Sequence, residues 1–262
     1  MGIGLIIIGD EILSGKRSDR HFPAVIDILK KRGMQLNWVE YLGDDPAKIT
    51  ATLSRTFVAG EMVFSCGGIG GTPDDHTRQC AALALNVPLA LHPEAKESIY
   101  ERIRDFAILH SRPLDYEAPD NLQRLRMGEF PEGAKIIPNP VNKIPGFSVG
   151  THYFFPGFPE MAHPMMEWVL DTYHRSDFFL VDHVEKSVTV YGAVEALMTP
   201  MMEEIERDFQ PVRVFSLPHI GRQGARNYVE LGVKGGKAQV DEAFSRLQDG
   251  LRLIGAEYEI NA

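Results

Sequence analysis

The chain has 262 residues, 36 of them acidic against 27 basic, and a formal net charge of −9; with no basic run, that balance excludes a protein that works by coating nucleic acid or an anionic membrane. Its length suffices for one large or two modest domains, and two are expected. Cys66 and Cys80 are too few for a disulfide framework, no stretch approaches the roughly 20 apolar residues of a membrane span, and the apolar run from Ile3 to Ile8 has no basic leader, so the cytoplasm is the expected location.

Gly4 to Ile8 reads as a strand buried on both faces of a parallel sheet, ending in Gly9-Asp10-Glu11-Ile12-Leu13-Ser14-Gly15. A helix is expected from about Asp19 to Arg32, with Phe22, Val25, Ile26 and Leu29 on one face and Gly33 as its stop. Gln35 to Leu42 follows as a second strand, Gly43-Asp44-Asp45-Pro46 opens a helix through Phe57, and Glu61 to Cys66 is a third strand. This βαβαβα rhythm marks a doubly wound α/β domain, whose ligands gather at the carboxyl ends of the strands. Three acidic loops follow those strands: Asp10/Glu11 with Asp19, Asp44/Asp45, and Asp74/Asp75. One such pair is ordinarily a turn or a cap. Three on one rim point to a shared site, with Asp10, Asp44 and Asp75 facing the glycines that follow the third strand.

That glycine stretch, Cys66-Gly67-Gly68-Ile69-Gly70-Gly71-Thr72-Pro73-Asp74-Asp75, is nearly free of Cβ atoms, so its backbone N–H groups can approach an anion. Thr72 reads as an N-cap, Pro73 as the first helical residue and Asp75 as the third member of a capping-box-like pattern, which sets a phosphate-sized site at a positive helix end. Carboxylates there would repel a phosphate unless a divalent cation lay between them. In the bland reading Asp74 and Asp75 merely complement the helix dipole. Cys66 is placed as a nucleophile would be, but a buried strand-end cysteine is the commoner case. His76 and Cys80 lie four apart on one helical face, and without a third ligand they read as packing or surface residues.

The helix runs to Leu85, Pro88 to His92 is a short strand, and a helix follows from about Pro93 to Leu109. After a polar loop and a short helix at Asn121 to Met127, apolar segments at 136–141, 144–147 and 153–161 alternate with Pro/Gly turns and are placed to close the sheet. A helix from about Pro159 to Tyr173 ends a first domain, residues 1–175. The second, 176–262, reads strand 187–191, helix 194–209, strands 212–217 and 227–233, helix 238–254, strand 256–260, the βαββαβ order of a small α+β domain. Gly221-Arg222-Gln223-Gly224 is a GXXG string by letter, but paired aromatics in a basic context are missing, and nucleic acid is not expected as a partner. Edges of the small sheet need cover, which favours a homo-oligomer, a dimer first and a trimer second.

Together these residues resemble the molybdopterin-binding MoaB/MogA-like domain, in the form found at the N-terminus of the competence/damage-inducible protein CinA. The resemblance covers roughly residues 1–173 and rests on the motif Gly9 to Gly15, on Gly43-Asp44-Asp45-Pro46, on Gly67-Gly68-Ile69-Gly70 with Thr72 to Thr77, on Pro138-Asn139-Pro140-Val141 with Pro145-Gly146-Phe147, and on Pro156 to Met161. The tail is similar to the small KH-type domain that follows in such proteins, Gly192-Ala193-Val194-Glu195 matching part of its glycine-glutamate motif. The implied fold is a three-layer doubly wound α/β domain followed by the small α+β domain. The amidohydrolase domain that carries nicotinamide mononucleotide deamidase activity in full-length relatives lies outside these residues, and that activity is not expected of them.

The resemblance implies a phosphorylated small-molecule ligand and one of two chemistries: binding and adenylylation of molybdopterin, or metal-dependent hydrolysis of ADP-ribose at its diphosphate. It gives Asp44 and Asp75 as the catalytic pair; the loop reading adds Gly67, Gly68, Gly70, Gly71, Thr72 and Ser14 as the expected phosphate binders, and Asp10, Glu11, Asp19 and Asp74 as expected holders of a divalent metal, magnesium, manganese or cobalt. Two positions depart from the family pattern: Gly71 stands where a proline is usual and His21 where an asparagine is usual. The rival reading is a binding or regulatory module that keeps the pocket without turnover.

Overall fold

Strand β1 (Ile3–Ile8) is buried along its whole length, because its side chains alternate between two cores. This computed structural model describes residues 2–180, 183–192, 195–221 and 226–261. Two units follow one another in the chain, Met1–Phe178 and Phe179–Ala262.

In the first unit β1 leads through a short helical turn, α1 (Asp10–Leu13), to α2 (His21–Lys30), β2 (Trp38–Leu42), α3 (Pro46–Ala59), β3 (Met62–Cys66), α4 (Thr77–Leu85), β4 (Leu89–Leu91), α5 (Pro93–Leu109), α6 (Pro119–Arg126), β5 (Glu129–Pro131), β6 (Lys135–Ile137), β7 (Gly146–Val149), β8 (His152–Phe155) and α7 (Pro159–Tyr173). The main sheet has the order β2-β1-β3-β8-β7-β6. Its first four strands are parallel, with Leu5 opposite both Val39 and Phe64, and β7 and β6 close it antiparallel. Ile3, Leu5, Ile7 and Phe64 pack with Val25 and Leu29 of α2 and Met165 and Val169 of α7. Ile6, Ile8 and Val63 pack on the other side with Ile49 and Leu53 of α3, Ala81 of α4 and Phe147 and Phe154. The result is three layers, as the alternation of apolar strands and amphipathic helices dictates.

Several expectations need correction. Helix α4 begins at Thr77 and not at Thr72. The Asp75 carboxylate accepts from both the N–H (2.8 Å) and the hydroxyl (2.6 Å) of Thr72, and the Asp75 N–H donates back to the Thr72 carbonyl. That closes a turn over 72–75 in place of a first helical turn. On α2 the buried face is Val25, Ile28 and Leu29, while Ile26 is exposed. Strand β4 leaves the main sheet and pairs with β5 in a separate two-stranded ladder.

The second unit contains β9 (His183–Tyr191), α8 (Glu195–Asp208), β10 (Arg213–His219), β11 (Tyr228–Gly236), α9 (Lys237–Leu253) and β12 (Glu257–Ile260). Its sheet is antiparallel throughout in the order β10-β11-β9-β12. Val188, Val190, Leu231 and Val233 pack against Met198 and Ile205 of α8 and Val240 and Leu247 of α9. The opposite face brings Tyr191 level with Tyr228, an aromatic pair that no linear motif announces, with His219 stacked on Tyr228. Its cation is neutralised, since Arg226 bonds both oxygens of Glu257, and Tyr191 donates to Glu259. The helix start at Val194, the Gly192 to Glu195 motif at its second and third residues, and positions 222–224 of the GXXG string lie outside the described residues.

Candidate functional site

Because β1, β2 and β3 are parallel, the loops that leave them emerge on one edge. There Asp10 and Asp44 hold each other by reciprocal bonds. The Asp44 carboxylate accepts from the Asp10 N–H at 2.9 Å, and the Asp10 carboxylate from the Asp44 N–H at 3.2 Å. Gly43 is required at this point, since a Cβ would run into the Asp10 carboxylate. A cleft of about 620 Å³ opens beside the pair, and Asp10, Glu11, Ser14, Lys16, Asp44 and Asp74 line it. Burial, then the charges of Asp10, Glu11 and Asp74, push the Asp44 carboxyl above its usual range, against the pull of the Asp10 N–H.

The glycine loop forms a wall of its own. Gly67 and Gly68 have φ of +106° and +68°, and a Cβ would strike the Ile8 carbonyl at the first and the Thr77 hydroxyl at the second. Thr77 anchors the loop from below, its N–H donating to the Gly68 carbonyl and its hydroxyl to the Gly67 carbonyl. Among the described residues no hydrogen bond joins the N–H groups of Gly68, Ile69, Gly70 or Gly71 to a protein acceptor. Consecutive free donors of this kind suit an anion. Gly71 is less constrained, for a Cβ there meets Met127 at 3.4 Å, an ordinary contact.

The twelve expected residues therefore separate. Asp10, Glu11, Ser14, Asp44 and Asp74 come together on the cleft. Asp75, expected beside Asp44 as the other half of the catalytic pair, is turned into the loop, where it holds Thr72 and lies so close to Gly70 that a Cβ would strike it. Of these two neighbouring aspartates only Asp74, expected to hold metal, lines the cleft. Asp19 spends its carboxylate on the N–H groups of His21 and Phe22 at the start of α2 and on the Tyr41 hydroxyl. Asp45 caps α3 through the Ala47 N–H. Among the described residues no group of three or more His, Cys, Asp or Glu side chains converges to hold a metal ion.

Two residues of the site escaped the linear reading. Lys16 supplies the cleft with a cation and follows directly on the Gly9 to Gly15 motif, which is the signal that could have found it. Arg78 is only 3% exposed and braces the loop through the Gly70 carbonyl at 2.7 Å, reaching the Arg126 carbonyl as well. No pattern marks it, because its acceptors are backbone oxygens. Cys66 is buried, and burial pushes its thiol well above the usual range, the opposite of an activated nucleophile. A second groove of about 420 Å³ between α3 and α4 is lined by Pro46, Thr50, His76, Gln79, Cys80 and Leu83, where the Cys80 thiol donates to the Pro46 carbonyl. It carries no carboxylate and lies off the acidic cleft.

The arrangement is that of a doubly wound α/β domain with its cleft at the carboxyl edge of the parallel strands, the class whose ligands seat at that edge. The chain belongs to the family described as "Probable molybdopterin binding domain", which matches residues 4–175. A CinA-like protein of Anaeromyxobacter sp. (strain K) is 34% identical over 175 residues, 65% of this chain and 40% of that relative. The chain thus spans less than half the length of such relatives. A protein of Caldivirga maquilingensis is 26% identical over 263 residues, covering 98% of this chain and 97% of that one. Among solved structures, the protein CinA of unknown function from Thermoplasma acidophilum superposes with a TM-score of 0.55 at 24% identity, over 65% of this chain and 98% of its own, a likeness of fold. Among the described residues no helix is long and apolar enough to cross a membrane.

Proposed function

We propose that the first unit binds a phosphorylated pterin or nucleotide and hydrolyses a phosphoanhydride of the kind found in ADP-ribose. One observation carries the reading: the carboxylates of Asp10, Glu11, Asp44 and Asp74 share a cleft with Lys16 and Ser14, at the same strand edge as a glycine loop with unbonded N–H groups. The loop donors and Lys16 would take phosphate oxygens. Asp44, fixed by the Asp10 N–H, would orient the attacking water.

A divalent cation fits this donor set in one way. With no convergent trio of ligands among the described residues, a closed all-protein site is not what these residues offer. An ion of the magnesium type is commonly held by one or two carboxylates together with the phosphates of the ligand, and in this reading Asp44 and Asp74, which both line the cleft, would be those carboxylates. When bound, the ion would neutralise phosphate charge and polarise a phosphoryl oxygen. The same lack of a trio favours the second reading, a module that binds a molybdopterin-like ligand without turning it over.

The test is a screen of ADP-ribose, related dinucleotides and molybdopterin with magnesium, manganese and cobalt, reading heat of binding and product separately. Turnover is expected to fall at least about tenfold, roughly 1.4 kcal/mol, in Asp44→Asn and in Asp74→Asn. Binding without product supports the second reading, and a set in which nothing binds overturns both.

A further inference from the structure

Two histidines, one on α2 and one on α7, lie together beside the Gly157 carbonyl, and neither lines the acidic cleft. His21 is the first residue of α2 and only 4% exposed. Its Nε2 is 3.2 Å from the carbonyl of Gly157, a residue that lies against Gly67, where an added Cβ would come within 3.5 Å of the Gly67 Cα. A carbonyl only accepts, so Nε2 carries the proton and Nδ1 holds the lone pair. That Nδ1 is buried and has no hydrogen-bond partner. His163, on α7, likewise has a buried Nε2 with no partner. The two rings stand nearly perpendicular, at 87°, with centroids 5.4 Å apart.

Two features match what a pair of metal-ligating imidazoles requires, the carbonyl partner of His21 and the spacing of the rings. Ligating histidines characteristically donate their other ring N–H to a carbonyl or carboxylate, which selects the tautomer and aims the ring. His21 does this through Gly157. Two imidazoles sharing one tetrahedral ion at about 2.0–2.1 Å from each nitrogen have ring centroids roughly 5 Å apart. An unbonded buried ring nitrogen is otherwise a cost that folded chains avoid, and here two occur in neighbouring rings. Glu160, three residues before His163, is held by Arg20 at 3.1 Å and is not counted among the ligands.

We propose that His21 and His163 form a two-imidazole site for a late first-row divalent cation, zinc in the first instance, distinct from the acidic cleft. Nitrogen donors select zinc, cobalt, nickel or copper over magnesium, which prefers oxygen. Water or a small ligand fills the remaining positions. The His21 ring would link the ion, on Nδ1, to Gly157, on Nε2.

The experiment uses the whole chain, stripped with chelator and titrated with zinc in excess magnesium, with cobalt as a spectroscopic probe and the histidine ring protons followed by NMR. About one zinc per chain is expected, with affinity lowered at least about tenfold in His21→Asn and in His163→Gln, and retained in Asp44→Asn. His163 is partly exposed, so its variant keeps the test open should His21→Asn fail to fold. Undiminished zinc binding in His163→Gln, or loss of it in Asp44→Asn, overturns the proposal. So does an absence of binding, which would leave a water-bridged pair.

Discussion

Lowering the pH from 7 to 5 is expected to weaken the first unit by about 2 kcal/mol through His152 alone. His152 is 1% exposed on β8, packs on Phe57 with ring centroids 4.2 Å apart, and has its Nε2 2.9 Å from the Thr56 hydroxyl. Burial lowers its pKa from 6.5 to about 4. The folded chain therefore keeps it neutral where the unfolded chain would protonate it. Its contribution is fully present above pH 6.5 and is lost as the pH falls from there toward 4. Integrating the difference in bound protons gives roughly 2 kcal/mol lost by pH 5 and about 3 kcal/mol at the limit. Both tryptophans, Trp38 and Trp168, belong to the first unit, so urea unfolding followed by tryptophan fluorescence reports that unit. Burial lowers the pKa of His21 and His163 as well, so wild type must be compared with His152→Gln, which keeps a polar partner for Thr56. The wild type should lose about 2 kcal/mol more than the variant between pH 7 and 5. Parallel pH profiles for the two proteins would refute the reasoning.

Gly68→Ala should cost about 1–3 kcal/mol, from a positive φ and a collision with the Thr77 hydroxyl. Gly71→Ala should be neutral or stabilise by up to about 1 kcal/mol, because the added Cβ meets only Met127 and Gln123 at ordinary contact distances; equal losses for the two in thermal unfolding would contradict this account of the loop. Assembly as a homodimer is proposed from the exposed edges of the four-stranded sheet, β10 and β12. Light scattering at micromolar concentration should give twice the chain mass, a trimer would move the contact to the first unit, and a monomer in low and moderate salt would end the proposal.

The fold was legible in the chain because strand burial and helix amphipathicity are local signals. The uninterrupted Ile3–Ile8 run could only be a central strand, Pro93 and Pro46 mark helix starts where proline is at home, and the βαββαβ order of the second unit follows from alternating Val188/Val190 and Val229/Leu231/Val233. Local pattern also announced that acidic loops and glycines would meet, since parallel strands send their following loops to one edge. It could not say which carboxylate would face the cleft. Asp74 and Asp75 are adjacent and chemically alike, and the choice between them is made by the turn that Asp75 closes onto Thr72. The same local competition moved the first helical residue of α4 from Pro73 to Thr77, a capping pattern being satisfied equally well by a turn.

The set of elements and their order, together with the edge on which chemistry could occur, can be read along the chain, because these depend on periodicity and chain direction alone. Which side chains share a volume is set by packing between elements distant in the chain. Arg78 reaches the Gly70 carbonyl, Asp19 is drawn to Tyr41, and His21 meets His163 across most of the domain. No periodicity encodes such meetings. They arise from the packing of α2 and α7 on one side of the sheet and of α4 beneath the glycine loop, where each buried polar group must settle with whatever partner the fold leaves within reach.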